Sequence, residues 1–314
     1  MKNKTILIIG GTGALGRTLT KRYYNDNKII IFSRDEHKHV NMKREYPKAI
    51  YQIGNVKDKD SISQVLSEYK PNVIINTAAL KHVPICEDNP YESVKTNIIG
   101  HKNLIDCINL CNYPIETLMF ISTDKACRPT NVYGMCKAIS ERLYIDFANK
   151  QTNIKVVLCR YGNVLESTGS VIPFFKRLLS QGETTLPITD ERMTRFSITL
   201  EESVDLIEWS FNHKHSHGCI VVPKLDSLKI TDIAKELGKH YSNNIKIKII
   251  GIRQGEKLHE EMVSTEESFR TIEYPKYYMI TDNIINDKGW SFASDSTILE
   301  SSKVRKFLQD KKVI

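Results

Sequence analysis

Residues 5–16, TILIIGGTGALG, join an apolar run to a turn with glycines at positions 10, 13 and 16. The apolar run predicts a strand buried in a sheet, and the glycines permit a tight turn and close packing of the following helix on that strand. A strand, turn and helix in this order direct backbone N–H groups toward a pyrophosphate. The segment therefore predicts the first unit of a dinucleotide-binding fold.

Strands and helices continue to alternate along the first half of the chain. Apolar runs predict further strands at 28–32, 49–53, 72–76, 118–121 and 155–159. The segments between them predict helices at 14–25, 36–46, 59–69, 89–111 and 131–150. This alternation is typical of an α/β fold with a doubly wound parallel sheet.

After residue 160 the alternation gives way to shorter elements separated by Pro and Gly, which indicates a second, smaller unit. The apolar segment 218–223 predicts that the chain returns to the sheet. We therefore expect a nucleotide-binding domain over residues 1–160, with a returning segment at about 196–225. A smaller C-terminal substrate-binding domain is expected over 161–195 and 226–314.

Composition limits the classes of protein to which the chain can belong. The 314 residues carry a formal net charge of +8 and have a mean hydropathy of −0.34. No run approaches the roughly 18 consecutive apolar residues of a membrane span, and lysines interleaved with Glu and Asp argue against nucleic acid as a partner. The seven scattered cysteines predict reduced thiols. We expect a cytoplasmic protein with no metal site.

The positions expected to contact the dinucleotide follow the carboxyl ends of the predicted strands. Ser33, Arg34 and Asp35 lie where the adenosine ribose is expected. An Arg suits the 2′-phosphate of NADP and an acidic residue suits the 2′-hydroxyl of NAD, so Arg34 favours NADP and Asp35 leaves NAD open. The other positions expected to bind the cofactor are Gly10, Thr12, Gly13, Ala14, Leu15, Gly16, Asn55, Val56, Ala78 and Ala79.

A second segment, FISTDKACRPTNVYGMCK at residues 120–137, places polar residues at the end of the fifth predicted strand. Its Thr-Asp-Lys sequence at 123–125 lies where open α/β sheets bind their ligands. Tyr133 and Lys137 stand four residues apart and share one face of the next helix. Because an ammonium beside a phenol lowers the phenol pKa from about 10 toward neutrality, we expect Tyr133 to act as a base.

With the glycine turn, the polar cluster and the Tyr–Lys pair in this order, the chain resembles the extended short-chain dehydrogenase/reductases. It is more narrowly similar, over residues 6 to about 264, to the UDP-N-acetylglucosamine 4,6-dehydratases that invert C5. The resemblance implies UDP-N-acetylglucosamine as substrate, a homo-oligomer (dimer or hexamer), and the first step of a deoxyamino-sugar pathway for surface glycans. The blocks that carry the similarity are AALKHVP at 78–84, STDKA at 122–126, YGMCKA at 133–138, RYGNV at 160–164, GSVIP at 169–173, MTRF at 193–196 and RQGEKLHE at 253–260.

Two features depart from the family pattern. Asn55 stands where the family usually has Asp, which puts the expected contact with the adenine amino group in doubt. The residues after about 265 match poorly. No function is carried onto them.

The resemblance implies a reaction in three parts. Tyr133 removes the proton of the C4 hydroxyl while hydride leaves C4 for the nicotinamide, whose ribose Lys137 holds. The C4 ketone acidifies C5, so that a neutral Lys125 takes the C5 proton while Asp124 in its acid form protonates the departing C6 hydroxyl. Hydride returns to C6, and a proton added at C5 from the opposite face gives UDP-2-acetamido-2,6-dideoxy-L-arabino-hexos-4-ulose. The pKa of Lys125 must then fall from about 10.4, through burial or neighbouring cations such as Lys81 and Lys137.

The resemblance also implies roles around the substrate. Arg253 is expected to hold the diphosphate of UDP and Glu256 the uridine ribose, because a guanidinium matches phosphate oxygens and a carboxylate accepts from two hydroxyls. Thr123 is included among the catalytic residues. The remaining positions are Lys81 and Asn97 toward the cofactor, and Lys81, His82, Asn163, Val171 and Arg195 toward the substrate.

Two other functions are compatible with parts of the sequence. A UDP-sugar 4-epimerase requires Tyr133 and Lys137 but no acid and base after Thr123, so Asp124 and Lys125 count against it. A dinucleotide-sensing regulator on the same fold would lack Tyr133 or Lys137. An NADP-dependent lyase acting on a UDP-sugar is therefore the leading hypothesis.

Overall fold

The computed structural model describes residues 1–167, 169–241 and 244–314. The first half of the chain alternates strands with helices. These elements are β1 (Thr5–Ile9), α1 (Ala14–Tyr23), β2 (Lys28–Ser33), α2 (Glu36–Glu45), β3 (Ile50–Ile53), α3 (Lys59–Tyr69), β4 (Val73–Asn76), α4 (Val83–Asp88), α5 (Pro90–Val94), α6 (Gly100–Asn109), β5 (Thr117–Thr123), α7 (Val132–Lys150) and β6 (Lys155–Tyr161).

The second half contains shorter elements, as its Pro and Gly residues predict. They are β7 (Asn163–Val164), α8 (Val171–Ser180), β8 (Thr185–Ile188), β9 (Thr194–Ile198), α9 (Leu200–Asn212), β10 (Ile220–Pro223), β11 (Ser227–Lys229), α10 (Ile230–His240), β12 (Lys246–Ile249), β13 (Glu261–Val263), α11 (Thr265–Ser268), β14 (Thr271–Glu273), β15 (Tyr277–Ile280), β16 (Phe292–Ala293) and α12 (Ser301–Asp310).

Within the described residues, the main sheet has nine strands in the order β14-β15-β10-β6-β5-β4-β1-β2-β3. The strands from β10 to β3 in this order run parallel, whereas β15 is antiparallel to β10 and to β14. Strand order reverses between β1 and β4, and such a switch point opens a crevice at the carboxyl ends of the strands. The predicted doubly wound α/β sheet is confirmed, and β10 lies beside β6 in this sheet.

The central strand β1 is buried on both faces, as its apolar sequence predicts. Leu7 and Ile9 join the apolar cluster on one face of the sheet, and Ile6 and Ile8 join the cluster on the other. All four are 0% exposed. Because successive strand residues point to opposite faces, both helical layers pack against this strand and fix the turn that follows it.

A separate apolar core defines a smaller lobe, which contains α8, α10, α12 and the paired strands β8 and β12. Its buried side chains include Phe175, Leu186, Leu237 and Leu308. The predicted boundaries assign residues 226–314 to this smaller lobe, but part of that segment lies elsewhere. Instead, β14 and β15 extend the main sheet beyond β10, where they cover a strand edge that would otherwise be exposed.

The helix predicted over residues 89–111 is interrupted. α5 leads into a π-helical turn, Lys95–Ile99, which continues as α6. π turns are frequent at functional sites, and this one carries Asn97.

Among the helices that the structure describes, none combines the length and apolar character that a bilayer-spanning segment needs.

Candidate active site

A groove with a volume of about 740 Å³ lies at the carboxyl ends of the parallel strands, beside the switch point between β1 and β4. Its lining includes Arg34 after β2, Gly13 in the glycine turn, and Lys125 and Tyr133 after β5. One groove therefore joins the predicted dinucleotide turn to the predicted catalytic segment. The predicted site residues that line it are Gly10, Thr12, Gly13, Ala14, Leu15, Ser33, Arg34, Asn55, Val56, Ala78, Ala79, Lys81, His82, Thr123, Lys125, Tyr133, Lys137 and Asn163.

The turn after β1 has the features of a pyrophosphate site. Gly10 has a φ of +76°, and a Cβ on it would stand 2.8 Å from the backbone N of Ala78. α1 begins after Gly13 with no side chain capping its first N–H groups, which leaves them available to an anion in the groove. Gly16 has a different role, since a Cβ there would lie 2.4 Å from the Gly11 carbonyl oxygen. It lets helix and turn pack closely, and it does not line the groove.

Of the residues at and after the end of β2, Ser33 and Asp35 form hydrogen bonds within the protein, whereas Arg34 is available to a ligand in the groove. The Ser33 hydroxyl is hydrogen-bonded to Thr12 Oγ1 at 2.8 Å, which fixes the end of β2 against the glycine turn. Asp35 accepts from the Lys38 N–H at 3.1 Å as the N-cap of α2, and it pairs with Lys38 Nζ at 3.0 Å. The backbone hydrogen bond from Lys38 is the main cause of the lowered pKa of Asp35. Arg34 lines the groove without a hydrogen-bond or ion-pair partner in the described part of the chain.

Asn97 shapes the groove from behind. Its side chain donates to the Leu80 carbonyl at 2.8 Å and accepts from the Leu80 N–H at 2.9 Å. Asn97 is 0% exposed and does not line the groove, so its predicted contact with a cofactor stays a prediction. Asn97 fixes the loop that carries Ala78, Ala79 and Lys81, because its amide satisfies the backbone at the centre of that loop.

Asp124 and Lys125 form a largely buried pair at the catalytic end of the groove. Thr123 Oγ1 donates to Asp124 Oδ1 at 2.8 Å, and Lys125 Nζ donates to the same oxygen at 3.1 Å. Lys125 Nζ also donates to Asn163 Oδ1 at 3.3 Å. Asp124 is 0% exposed, and its Oδ2 lacks a hydrogen-bond partner among the described residues. The pair therefore meets the groove through Lys125, with Asp124 directly behind it.

A second buried carboxylate, Glu260, completes this cluster and is missing from the sequence-based predictions. Its Oε1 lies 3.2 Å from Lys125 Nζ and 3.9 Å from Arg195 Nε, and its Oε2 lies 3.9 Å from Lys257 Nζ. Glu260 is 2% exposed. Its block, RQGEKLHE, was recognised, but the sequence alone does not show which of its polar residues turns inward.

Tyr133 and Lys137 both line the groove from α7, as their spacing predicts. Burial raises the pKa of Tyr133 above its ordinary value, although Lys125 and a hydrogen bond with Thr123 oppose the rise. Lys137 Nζ donates to the Ile121 carbonyl at 2.7 Å, and burial lowers its pKa to about 7. The prediction that Lys137 lowers the Tyr133 pKa toward neutrality is therefore wrong. Lys125 is the cation that favours the phenolate.

The charge states around Lys125 also differ from the prediction. Burial lowers the pKa of Lys125, but Asp124 and Glu260 together raise it above its ordinary value. The expected fall in that pKa is wrong because two carboxylates, rather than cations, adjoin the ammonium. Burial raises the pKa of Asp124, which agrees with its predicted acid form. Burial also raises the pKa of Glu260, but Lys125, Arg195 and Lys257 outweigh it and keep that pKa low.

Gly134 allows α7 to approach the catalytic turn. A Cβ on Gly134 would lie 2.2 Å from the Lys125 carbonyl oxygen. Asn131 caps α7 by accepting from the Gly134 N–H at 2.8 Å, and its Nδ2 donates to the Gly255 carbonyl at 2.8 Å. One amide therefore joins the start of the catalytic helix to the RQGEKLHE block.

Four predicted substrate residues do not line the groove in the described structure. Arg195 donates to neighbouring backbone carbonyls, and its Nη2 lies 3.7 Å from Glu256 Oε1. Arg253 is exposed, and its backbone N–H donates to Glu256 Oε2 at 3.4 Å. Val171 begins α8, next to the groove-lining Ser170. The roles of these residues toward UDP stay predictions.

Comparisons with known proteins identify the family of this chain. A family model described as polysaccharide biosynthesis protein matches residues 6–282. The chain is 45% identical over 312 residues to a UDP-N-acetylglucosamine 4,6-dehydratase (inverting) of Campylobacter jejuni, which covers 96% of this chain and 90% of the relative. It is 39% identical over 288 residues to a UDP-glucose 4-epimerase of Rickettsia rickettsii, covering 88% of this chain and 83% of the relative. The solved structure of Pen from Bacillus thuringiensis superimposes with a TM-score of 0.91 at 28% identity, covering 100% of this chain and 99% of that one.

The fold and the groove define an extended short-chain dehydrogenase/reductase, the class that the sequence resembles. Because the family model spans most of its length, the chain belongs to the polysaccharide biosynthesis protein family.

Proposed function

We propose that this chain is an NADP-dependent UDP-N-acetylglucosamine 4,6-dehydratase that inverts C5. The observation that carries the proposal is the cluster of Thr123, Asp124 and Lys125 at the end of a dinucleotide groove that also contains Tyr133 and Lys137. An acid and a base beside a phenol are the groups that a combined oxidation and elimination requires. The identity to the Campylobacter dehydratase supports the same substrate.

The residues of the groove fit a nicotinamide dinucleotide. The glycine turn and the uncapped start of α1 would hold the pyrophosphate, and Lys137 would hold the nicotinamide ribose. Arg34 and Lys38 would hold a 2′-phosphate, which favours NADP because Asp35 is already engaged by Lys38. When bound, the nicotinamide supplies a hydride acceptor for C4 and a hydride donor for C6.

The proton transfers belong to the side chains of this chain. Tyr133 accepts the C4 hydroxyl proton, and the Lys125 ammonium favours the phenolate that does so. Once C4 is a ketone and the Lys125 ammonium has released its proton to solvent through the groove, the C5 proton passes to the free amine, and the C–H electrons form the C5–C6 double bond. The C6–O bond breaks as Asp124, whose acid form burial favours, protonates the leaving oxygen to give water. A proton returned to C5 on the opposite face inverts that centre.

The proposal includes a cytoplasmic homo-oligomer. α7 packs against α4 and α5, and these helices carry the exposed apolar side chains of Ile85, Tyr91, Met135 and Ile139, which are 48%, 67%, 48% and 48% exposed. Exposed apolar side chains on adjoining helices are typical of association surfaces. Light scattering on the purified protein measures the assembly, and a Met135→Lys variant that stays assembled would count against this surface.

The second candidate is a UDP-sugar 4-epimerase, which the identity to the Rickettsia protein favours. Purified protein is incubated with UDP-N-acetylglucosamine and NADP, and the product is analysed by mass spectrometry and NMR. Loss of one water with an L-configured C5 supports the inverting dehydratase. Unchanged mass selects the epimerase, and loss of water with retained C5 configuration contradicts the inverting assignment.

A further inference from the structure

We propose that Glu260 is the positioning residue of Lys125. Its carboxylate, supplied by the segment before β13, holds the lysine side chain at the groove and sets the pH at which that lysine becomes a free amine. The catalytic part of this inference rests on the proposed dehydratase function, in which Lys125 is the base at C5. It concerns a residue that the reaction steps above do not use.

The contacts of Lys125 Nζ come from three separate parts of the chain. Asp124 Oδ1 at 3.1 Å belongs to the same turn, Asn163 Oδ1 at 3.3 Å belongs to β7, and Glu260 Oε1 at 3.2 Å belongs to the C-terminal segment. Asp124 and Glu260 are the two that can carry charge. Burial raises the pKa of Asp124, whereas neighbouring cations keep the pKa of Glu260 low, so Glu260 keeps its negative charge to a lower pH than Asp124 does.

Glu260 is shared by cations from three directions. Lys125 lies at 3.2 Å, Arg195 of β9 at 3.9 Å and Lys257 of the RQGEKLHE block at 3.9 Å. Tyr133 of α7 also interacts electrostatically with Lys125. Loss of the Glu260 charge would leave the three cations without their shared carboxylate. Of the three, we expect Lys125 to give up its proton most readily. An Arg does not deprotonate in the working range, and Lys257 donates instead to the Cys127 carbonyl at 2.7 Å.

This arrangement has a defined effect on the elimination step. The proton leaves C5 for Nζ of Lys125, so the amine must be free before the step and becomes an ammonium after it. Glu260 forms no bond to the sugar in this step. The charge of Glu260 stabilises the ammonium form of Lys125. At neutral pH the free amine of Lys125 is therefore a smaller fraction of the total, but it is a stronger base.

A first experiment measures Lys125 directly, without substrate or cofactor. The pH dependence of Lys125 acetylation by acetic anhydride is followed by peptide mass spectrometry in wild type, Glu260→Gln, Glu260→Asp and Glu261→Gln. Removing an opposite charge at this distance lowers a lysine pKa by about one unit or more, so the acetylation midpoint of Glu260→Gln falls by that amount. Glu260→Asp, which withdraws the carboxylate by one methylene, gives an intermediate midpoint. Glu261→Gln is the matched control, since Glu261 lies 3.6 Å from Arg128, and its midpoint stays at the wild-type value.

A second experiment measures the catalytic consequence. The 4-keto sugar nucleotide that still has its C6 hydroxyl and its original C5 configuration is incubated with the cofactor-loaded enzyme, and its loss of water is followed by mass spectrometry against pH. In Glu260→Gln the rising limb of the rate plotted against pH moves to lower pH by about one unit or more, because the free amine of Lys125 is more abundant at a given pH. The plateau rate falls because that amine is less basic. A residue with a merely structural role would lower the rate at every pH and leave the limb in place.

The two experiments separate the failure of this proposal from the failure of the proposed function. If both the acetylation midpoint and the rising limb of the pH profile for water loss stay at their wild-type positions in Glu260→Gln, Glu260 does not set the charge of Lys125. If wild type releases no water from UDP-N-acetylglucosamine, the dehydratase proposal fails, while the acetylation midpoint still decides the role of Glu260. Should Glu260→Gln fail to fold, Glu260→Asp carries the test, and a wild-type midpoint in that variant overturns the proposal.

Discussion

Arg160 and Glu267 are joined by two hydrogen bonds of 2.8 Å each, from Nη1 to Oε2 and from Nη2 to Oε1. Arg160 also donates to Glu141, at 3.0 Å from Nε and 2.6 Å from Nη2, and it is 1% exposed. Ser122 at the end of β5 donates to the same Glu141 at 2.6 Å. One guanidinium therefore connects β6, α7 and α11 immediately behind the catalytic turn.

We expect Glu267→Ala to destabilise the protein by about 3–5 kcal/mol, because it leaves a buried arginine with one carboxylate instead of two. The free energy of unfolding is measured by urea denaturation. The control is Glu266→Ala, whose exposed carboxylate pairs with Arg128 at 3.0 Å and should cost less than about 1 kcal/mol. Equal losses in the two variants would contradict this assignment.

The same ion pair predicts how stability depends on acid. Burial raises the pKa of Glu267, but Arg160 outweighs it and lowers that pKa to about 2. A carboxyl group with a lowered pKa contributes stability above its unfolded value of about 4.3 and loses that contribution as the pH falls. The difference in unfolding free energy between wild type and Glu267→Ala should therefore shrink between about pH 4.3 and pH 2. A difference that stays constant over this range would argue against an ionised Glu267.

Lys125→Ala should keep the oxidation at C4 and lose the release of water. Removal of the C5 base lowers the rate of elimination by roughly 10²–10⁴, whereas Tyr133 is still present for the first step. Oxidation is followed by the near-ultraviolet absorbance that accompanies hydride transfer, and elimination by the mass of the sugar nucleotide. Lys102→Ala, which removes an exposed lysine paired with Asp106, is the control. Full dehydratase activity in Lys125→Ala would refute the assigned role.

Tyr133→Phe should show the reverse pattern. C4 oxidation falls by roughly 10²–10⁴, while loss of water from a preformed 4-keto sugar nucleotide of unchanged C5 configuration continues because that step uses Lys125 and Asp124. Burial raises the pKa of Tyr133, so the rate of C4 oxidation in wild type should increase with pH through the neutral and alkaline range. Rapid-quench measurements of both reactions test this. Equal losses in the two reactions would mean that Tyr133 supports the structure of the groove rather than the first proton transfer.

Arg34 should decide the preference between the two dinucleotides. Arg34→Gln removes the open guanidinium and should weaken NADP binding by about tenfold to a hundredfold, with little effect on NAD, because hydrogen bonds between charged groups contribute roughly 1.5–3 kcal/mol. Calorimetric titration with each dinucleotide measures the change. Arg44→Gln, on α2 outside the groove, is the matched control. An equal loss for NAD and NADP would show that Arg34 does not contact the 2′-phosphate.

The parts of the site that could be predicted from sequence are those set by local geometry. The apolar run and glycines of residues 5–16 specify their own strand, turn and helix, and the four-residue spacing of Tyr133 and Lys137 places both on one helix face. The polar residues after β5 lie at the groove because every parallel strand ends at the same edge of the sheet. These signals do not depend on distant parts of the chain.

The remaining features depend on contacts between distant segments. Glu260 contacts Lys125, and Glu267 contacts Arg160, only after the C-terminal segment has folded against the sheet. The ionisation of Lys125 was mispredicted for the same reason, since burial lowers its pKa and two carboxylates reverse that effect. The contacts of Asn97 with Leu80 depend on a π-helical turn that apolar periodicity does not reveal.

The late position of Glu260 and Glu267 in the chain affects the order in which the enzyme is completed during translation. When the ribosome has made residues 1–200, Asp124 and Glu141 are already present, but Lys125 still lacks Glu260 and Arg160 still lacks Glu267. A nascent chain at that stage carries two cations that each have one of their two carboxylates, which makes their burial less favourable. Arg160 gains Glu267 and Lys125 gains Glu260 only after residues 260–267 have left the exit tunnel of the ribosome. The buried ion pair and the catalytic lysine are therefore completed by the same short segment.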